Sequence, residues 1–214
     1  MPILAAAVAG DLRQTITASQ QPPQGGFFVP DFQEFPMQSK SLFISAGHSD
    51  ADPGAVGNGH TEAGIVLEFR DLLADALFAR GVQFDRDGDQ RQNLPLSKAW
   101  KLAANHDIAL EFHCNSFHKP TATGVETLGW PGHAEFGKRI CNAISQTLGI
   151  ANRGAKGEAS GQHSRLAFVS RGGGIIVELF FISNPDDLAA YQRWKLQLAE
   201  VLADLLAGEV GRAD

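Results

Sequence analysis

The stretch SLFISAGHSDADPGAVG, Ser41–Gly57, sets the reading of the whole chain. It opens as an apolar run with the length of a buried strand. It then breaks into glycines, aspartates and a proline, with one histidine, His48, at the break. A chain that ends a buried strand on a histidine and then turns through a long loop needs partners for that histidine elsewhere.

Outward from this stretch, strand and helix patterns alternate. EAGIVLEFRDLLADALFARG places Ile65, Val66, Phe69, Leu72, Leu73, Ala76 and Leu77 at helical spacing, and Gly81 stops it. VQFDR reads as a second strand, LPLSKAWKLAANH as a helix, DIALEFHCN as a third strand and GVETLGW as a fourth. HAEFGKRICNAISQTLG is a helix closed by Gly149, and RLAFVS and GIIVELFF are two further strand candidates. The last helix is capped by Ser183 or Asn184, with Pro185, Asp186 and Asp187 in its first turn. The expected fold is a single layered α/β domain, with a mostly parallel twisted sheet of about six strands flanked by helices on both faces.

Residues 1–40 differ from the remainder and read as an N-terminal extension, leaving 41–214 as the main domain. TASQQPPQGG is a polar linker. FFVPDFQEF, residues 27–35, concentrates aromatics that either cover the main domain or dock a protein partner. MPILAAAVAG is apolar, but no Lys or Arg precedes it and Asp11 ends the run, so it makes a poor signal peptide. No stretch reaches the ~20 apolar residues of a membrane span. The net charge of −6 and the lack of a Lys/Arg block argue against nucleic acid. Two cysteines, Cys114 and Cys141, are too few for a disulfide framework.

Ligand sites in such folds gather where strands end. His48 follows the first strand, Glu62 opens the first helix, His113 lies near the end of IALEFHCN, and Glu178 lies near the end of GIIVELFF. Two imidazoles and one carboxylate are the ligand types of a catalytic zinc site with one open position. Zinc in such a site lowers the pKa of water from about 15.7 to roughly 7. A further carboxylate inside an apolar strand has a raised pKa unless paired, and suits proton transfer. Spacing alone leaves other readings open. Each histidine is equally a satisfied core or loop residue, and Glu178 equally the acid of a buried ion pair with Arg165 or Arg171.

Five motifs in order narrow these alternatives. SAGHSDADPGAVG, TEAG, DRDGD, AANHDIALEFHCNS and IVELFFISNPDD together resemble the zinc-dependent N-acetylmuramoyl-L-alanine amidases of bacteria and their phages, over Ser41 to about Gly208. The resemblance implies one zinc ion on His48, Glu62 and His113, and acid-base work at Glu178. It implies cleavage of the amide between N-acetylmuramic acid and the first L-alanine of the peptidoglycan stem peptide. The rival readings are a zinc peptidase cutting within the stem peptide, and a wall-binding or virion structural protein that keeps the fold without turnover. The expected setting is a phage or prophage lysin, made in the cytoplasm and acting on the cell wall after release.

Two departures from the family pattern bear on the site. Ser45 and Ala46 stand where the family usually has Asp-Pro, and Glu111 stands two residues before His113 where Ser is commonest. Positions i and i+2 of a strand share a face, so Glu111 lies on the His113 side and Cys114 on the other. Glu111 reads as a support for the ligand, a rival proton acceptor, half of an ion pair or a ligand itself. Asn115 closes the His-x-Asn of the third strand. The polar stretch NRGAKGEASGQHSR reads as a loop lining the substrate groove, where Arg153, Lys156 and Arg165 meet stem-peptide carboxylates. His118 and His163 are candidates for substrate contact, while His60, His106 and His133 read as surface or loop residues.

Overall fold

The apolar run after Ser41 forms strand β1 (Leu42–Ala46), buried along its whole length. After it come β2 (Val56–Gly57), β3 (His60–Thr61), α1 (Glu62–Ala79), β4 (Asp85–Arg86), α2 (Leu96–Ala103), β5 (Ile108–Asn115) and β6 (Val125–Gly129). The chain continues through α3 (Ala134–Leu148), β7 (Asn152–Gly157), α4 (Ala167–Ser170), β8 (Ile175–Phe181) and α5 (Pro185–Val210). The computed structural model describes residues 40–49, 51–88, 92–160 and 165–211. The aromatic segment 27–35, the rest of the extension before Lys40, and His163 lie outside the described residues.

Six strands form one sheet in the order β4-β1-β5-β8-β6-β7. Only the β6–β8 pair is antiparallel. The expected fold is therefore the observed one. Alternation along the strands builds two cores. Leu42, Ile44, Leu110, Phe112, Ile175 and Val177 face one side and pack with α1, α3 and α5. Phe43, Ala109 and Ile176 face the other and pack with the shorter α2 and α4. That second layer is thin, and the strand ends beyond it carry polar residues instead. Ser45 stands opposite Glu111 in the β1–β5 register, His113 opposite Glu178 in β5–β8, and Glu178 opposite Glu126 in β6–β8. Among the described residues no helix is long and apolar enough to cross a membrane.

Two expectations need correction. RLAFVS is not a strand: Ala167–Ser170 is one helical turn, with Phe168 and Val169 both buried. A run this short does not distinguish strand from helix by periodicity, and the Ser170 hydroxyl donates to the Leu166 carbonyl as a helical turn allows. The sixth strand is instead β7, inside the stretch read as a polar loop. It lies at the sheet edge, where main-chain pairing to β6 holds it and no apolar alternation is required. A small hairpin, β2–β3, turns at Asn58-Gly59 with φ 50° and 79°, the left-handed pair such a tight turn demands.

Helix α1 also fixes the end of β1 from below. Arg70 is fully buried, and its Nη1 donates to Asp87 Oδ1 at 2.8 Å. Its Nη2 donates to Asp71 at 2.9 Å and to the Gln92 carbonyl at 3.1 Å. Asp87 in turn accepts from the Ser45 hydroxyl at 2.8 Å. Removing one partner of a buried ion pair leaves an uncompensated charge. Arg70→Met is expected to cost about 3–5 kcal/mol in urea unfolding. Adding Asp87→Leu to it should recover most of that loss, and equal destabilisation of the two variants would refute the pairing argument.

Candidate metal centre

His48 sits just past β1 in a left-handed conformation, φ 65°, uncommon for a residue with a side chain. Asn93 makes this tenable. Its amide donates to the carbonyls of Ala46 (2.6 Å), Gly47 (3.2 Å) and His48 (2.8 Å), clamping the turn. The loop that follows returns the chain to α1. Thr61 caps that helix by accepting from Gly64 N, which places Glu62 at the positive helix end. His113 projects from β5 on the same side.

These three side chains converge. His48 Nε2 lies 3.0 Å from Glu62 Oε1, and His113 Nδ1 lies 2.9 Å from the same oxygen. One donor atom from each falls within 4.8 Å of the others. Burial pushes Glu62 upward, but hydrogen bonds from His113 and His48 outweigh it and hold the carboxylate well below its usual range. The main-chain amides of Ala55 (2.9 Å) and Cys114 (3.0 Å) also donate to it. The remaining ring nitrogens meet carboxylates: His48 Nδ1 is 3.0 Å from Asp52 Oδ2, and His113 Nε2 is 3.1 Å from Glu111 Oε1. Carboxylates in these positions fix ring orientation and turn the facing nitrogens toward Glu62, where a cation would meet all three donors.

Space for an ion is reserved by glycine. A Cβ on Gly47 would fall 2.4–2.7 Å from the His113 ring. One on Gly54 would fall 2.6 Å from the His48 ring and 2.7 Å from Glu62 Oε2. The donor set, the glycine cradle and the outer carboxylates all fit a divalent metal.

Glu178 stands beside His113 across the β5–β8 pair. Its Oε2 is buried and has no hydrogen-bond partner among the described residues. The ion pairs considered for it are not formed, since Arg171 lies over the Trp100 ring instead. Burial pushes its carboxyl up to about 7; His113 pulls it down, and Glu62 and Glu126 add to the rise. Glu111 touches His113 and lies 3.4 Å from the Ser45 hydroxyl, so it buttresses a candidate ligand and is outside the convergent trio. Cys114 is a buried free thiol, pushed further up by burial.

The site opens into two cavities. One, of about 630 Å³, contains Asn115, Glu126, Arg153, Lys156 and Glu178 in its wall. The other, of about 310 Å³, contains Asp52, Leu94, Leu96, Glu111 and Phe168. Asn115 donates to Glu126 at 3.1 Å rather than facing the cation donors. Arg165 is exposed and lines neither cavity. His118 is exposed and packs on Phe117, and His106 bonds Asp85 and the Leu102 carbonyl. Sequence reading missed Asp52, Asn93 and Glu126. Asp52 carried a signal, an aspartate before Pro-Gly that turns the loop by accepting from Gly54 N. Glu126 carried one too, as an acid within an apolar strand.

Residues 42–207 match the profile of the family described as N-acetylmuramoyl-L-alanine amidase. The chain is 27% identical over 178 residues to the N-acetylmuramoyl-L-alanine amidase LytC of Bacillus subtilis (strain 168). That match covers 79% of this chain and 35% of LytC, so the chain spans about a third of that relative's length. It is 29% identical over 156 residues to the uncharacterized protein YqiI of the same organism, covering 71% of this chain and 75% of YqiI. Among solved structures, one from Neisseria meningitidis assigned as an N-acetylmuramoyl-L-alanine amidase is 38% identical, with a TM-score of 0.74 over 82% of this chain and 98% of that one. The N-acetylmuramoyl-L-alanine amidase of Clostridium difficile 630 shares the fold at 20% identity, with a TM-score of 0.71 over 83% of this chain and 100% of that one. With more than half of its length matched to the profile, the chain belongs to the N-acetylmuramoyl-L-alanine amidase family.

Proposed function

We propose that the chain hydrolyses the amide between the lactyl group of N-acetylmuramic acid and the first L-alanine of the peptidoglycan stem peptide, with one zinc ion held by His48, Glu62 and His113. The observation that carries this reading is Glu178. A buried carboxyl with a free oxygen, beside a convergent His-Glu-His set, is a costly arrangement for a structural or binding protein to keep.

Bound there, zinc supplies Lewis acidity that polarises the scissile carbonyl and lowers the pKa of water. The chain's own residues do the rest. Asp52 and Glu111 hold the two imidazoles in the orientation that presents Nε2 of His48 and Nδ1 of His113. The main-chain amides of Ala55 and Cys114 hold the Glu62 carboxylate in place. Glu178 takes the proton of the attacking water and returns it to the nitrogen of the leaving L-alanine. In the metal-free chain burial pushes its carboxyl up to about 7, and a carboxyl raised by burial suits a group that must accept a proton and then donate it.

His48→Ala and His113→Ala are expected to lose zinc and activity together, read by metal analysis after dialysis alongside a turnover assay. Stoichiometric zinc with full turnover in either variant would remove these ligands from the site.

Glu178→Gln is expected to keep its zinc and lose about 10²–10⁴ in rate. Mass spectrometry of peptidoglycan digested by the unaltered protein should show a new L-alanine amino terminus. A new terminus deeper in the stem peptide would make the protein a peptidase, and no cleavage would make it a binder.

Glu178 also links stability to pH. Its carboxyl binds protons more tightly in the folded chain than in the unfolded one, so folding is favoured at low pH. That contribution fades as pH rises from 4.5 through 7. In chelator-treated protein, Glu178→Gln should therefore gain up to about 3 kcal/mol on the unaltered chain between pH 4.5 and pH 8. A difference independent of pH, measured by urea unfolding, would contradict the raised pKa.

A further inference from the structure

Resting on the amidase reading, we infer that Arg153 and Lys156, held by Glu126, read a free carboxylate on the peptide side of the scissile amide, at the second residue of the stem peptide. Glu126 is buried and accepts from Arg153 Nε at 2.5 Å and from Lys156 Nζ at 2.6 Å, while Asn115 donates to its other oxygen. Two cations on one carboxylate leave one unit of positive charge on this cluster, which with Glu62, Glu158 and Glu178 is part of the wall of the larger cavity. The Arg153 guanidinium lies over the Phe181 ring, 5.0 Å from its centroid. It uses only Nε on Glu126, and its Nη groups make no hydrogen bond among the described residues. An oriented guanidinium with its fork unspent is built for a second carboxylate.

Reach identifies which carboxylate. Glu126 pairs directly with Glu178, so the two stand about one strand spacing, ~4.8 Å, apart. The cations bound to Glu126 therefore lie within roughly 5–8 Å of the group that protonates the leaving nitrogen. From that nitrogen, the α-carboxylate of the second residue is roughly 5–6 Å along the peptide. Among the described residues the other cavity offers such a group no Lys or Arg. The acids in its wall, Asp52 and Glu111, are paired with His48 and His113, and the rest of its described lining is largely apolar. The peptide thus leaves toward β7, and the sugar lies toward Leu94–Leu96 and Phe168.

The test compares two synthetic muramoyl dipeptides, one with D-glutamate second and one with D-isoglutamine, whose α-carboxylate is amidated. The zinc-loaded protein should prefer the free acid by roughly tenfold in kcat/KM. The double variant Arg153→Gln with Lys156→Gln should bring that ratio close to one. Calorimetry with the released dipeptides, L-Ala-D-Glu against L-Ala-D-isoGln, should show the same preference and the same collapse without any turnover. No preference in the unaltered protein by either measure, or a preference that survives the double variant, overturns the inference. Failure to cleave either muramoyl dipeptide counts against the amidase reading instead, and the dipeptide affinities then decide this inference by themselves.

Discussion

The register of four neighbouring strands governs the rest of the molecule. Ser45, Glu111, His113, Glu178 and Glu126 come from β1, β5, β8 and β6, and they share a face because each pairs in step with the next. A slip of one residue on any of these strands would send its polar group into the core under α1, α3 and α5. The apolar residues between them, Phe112 and Val177 above all, prevent that slip because they are wholly buried on that side. Core packing on one face thus aligns the chemistry on the other. The short α2 and α4 cover only the deeper part of the second face, which leaves the strand ends open to a ligand.

Four carboxylates crowd this small area, and each is accommodated differently. Glu62 has two histidines, two main-chain amides and a helix N-terminus. Glu111 has His113 and the Ser45 hydroxyl. Glu126 has Arg153, Lys156 and Asn115. Of the four, Glu178 alone has an oxygen with no hydrogen-bond partner among the described residues, and its carboxyl is the one pushed up to about 7. Glu62 and Glu126 are held below the usual carboxylate range by their partners, and Glu178 is pushed above it. The division of labour proposed for the site follows from that difference in solvation.

Ser45 and Glu111 explain each other. The family resemblance leads one to expect an aspartate at position 45 and a serine at 111, and this chain has the small hydroxyl and the acid on the opposite strands. The two side chains face each other across the β1–β5 ladder, 3.4 Å apart and both buried. The acid is present on the neighbouring strand, where it meets His113 Nε2. Asp87, anchored by Arg70, supplies the partner that the Ser45 hydroxyl needs.

The alternation of strand and helix, the caps at Asn184 and Gly149, and the polar residues at strand ends were legible in the sequence, because local geometry imposes a period and a stop signal. His48, Glu62, His113 and Glu178 could be picked out as polar residues near strand or helix ends, while their expected roles came from the family resemblance and not from their spacing. β7 was not legible, since an edge strand is held by main-chain bonds to β6 and its composition is that of a loop. α4 was not legible, since one turn is too short to show a period. Nor could the sequence say that Asn93 clamps the His48 turn, that Glu126 holds Arg153 and Lys156, or that Glu178 Oε2 has no partner among the described residues. Those contacts join residues tens of positions apart. They exist only once the sheet has set its register, because hydrogen bonding and desolvation depend on distance in space and not on order along the chain.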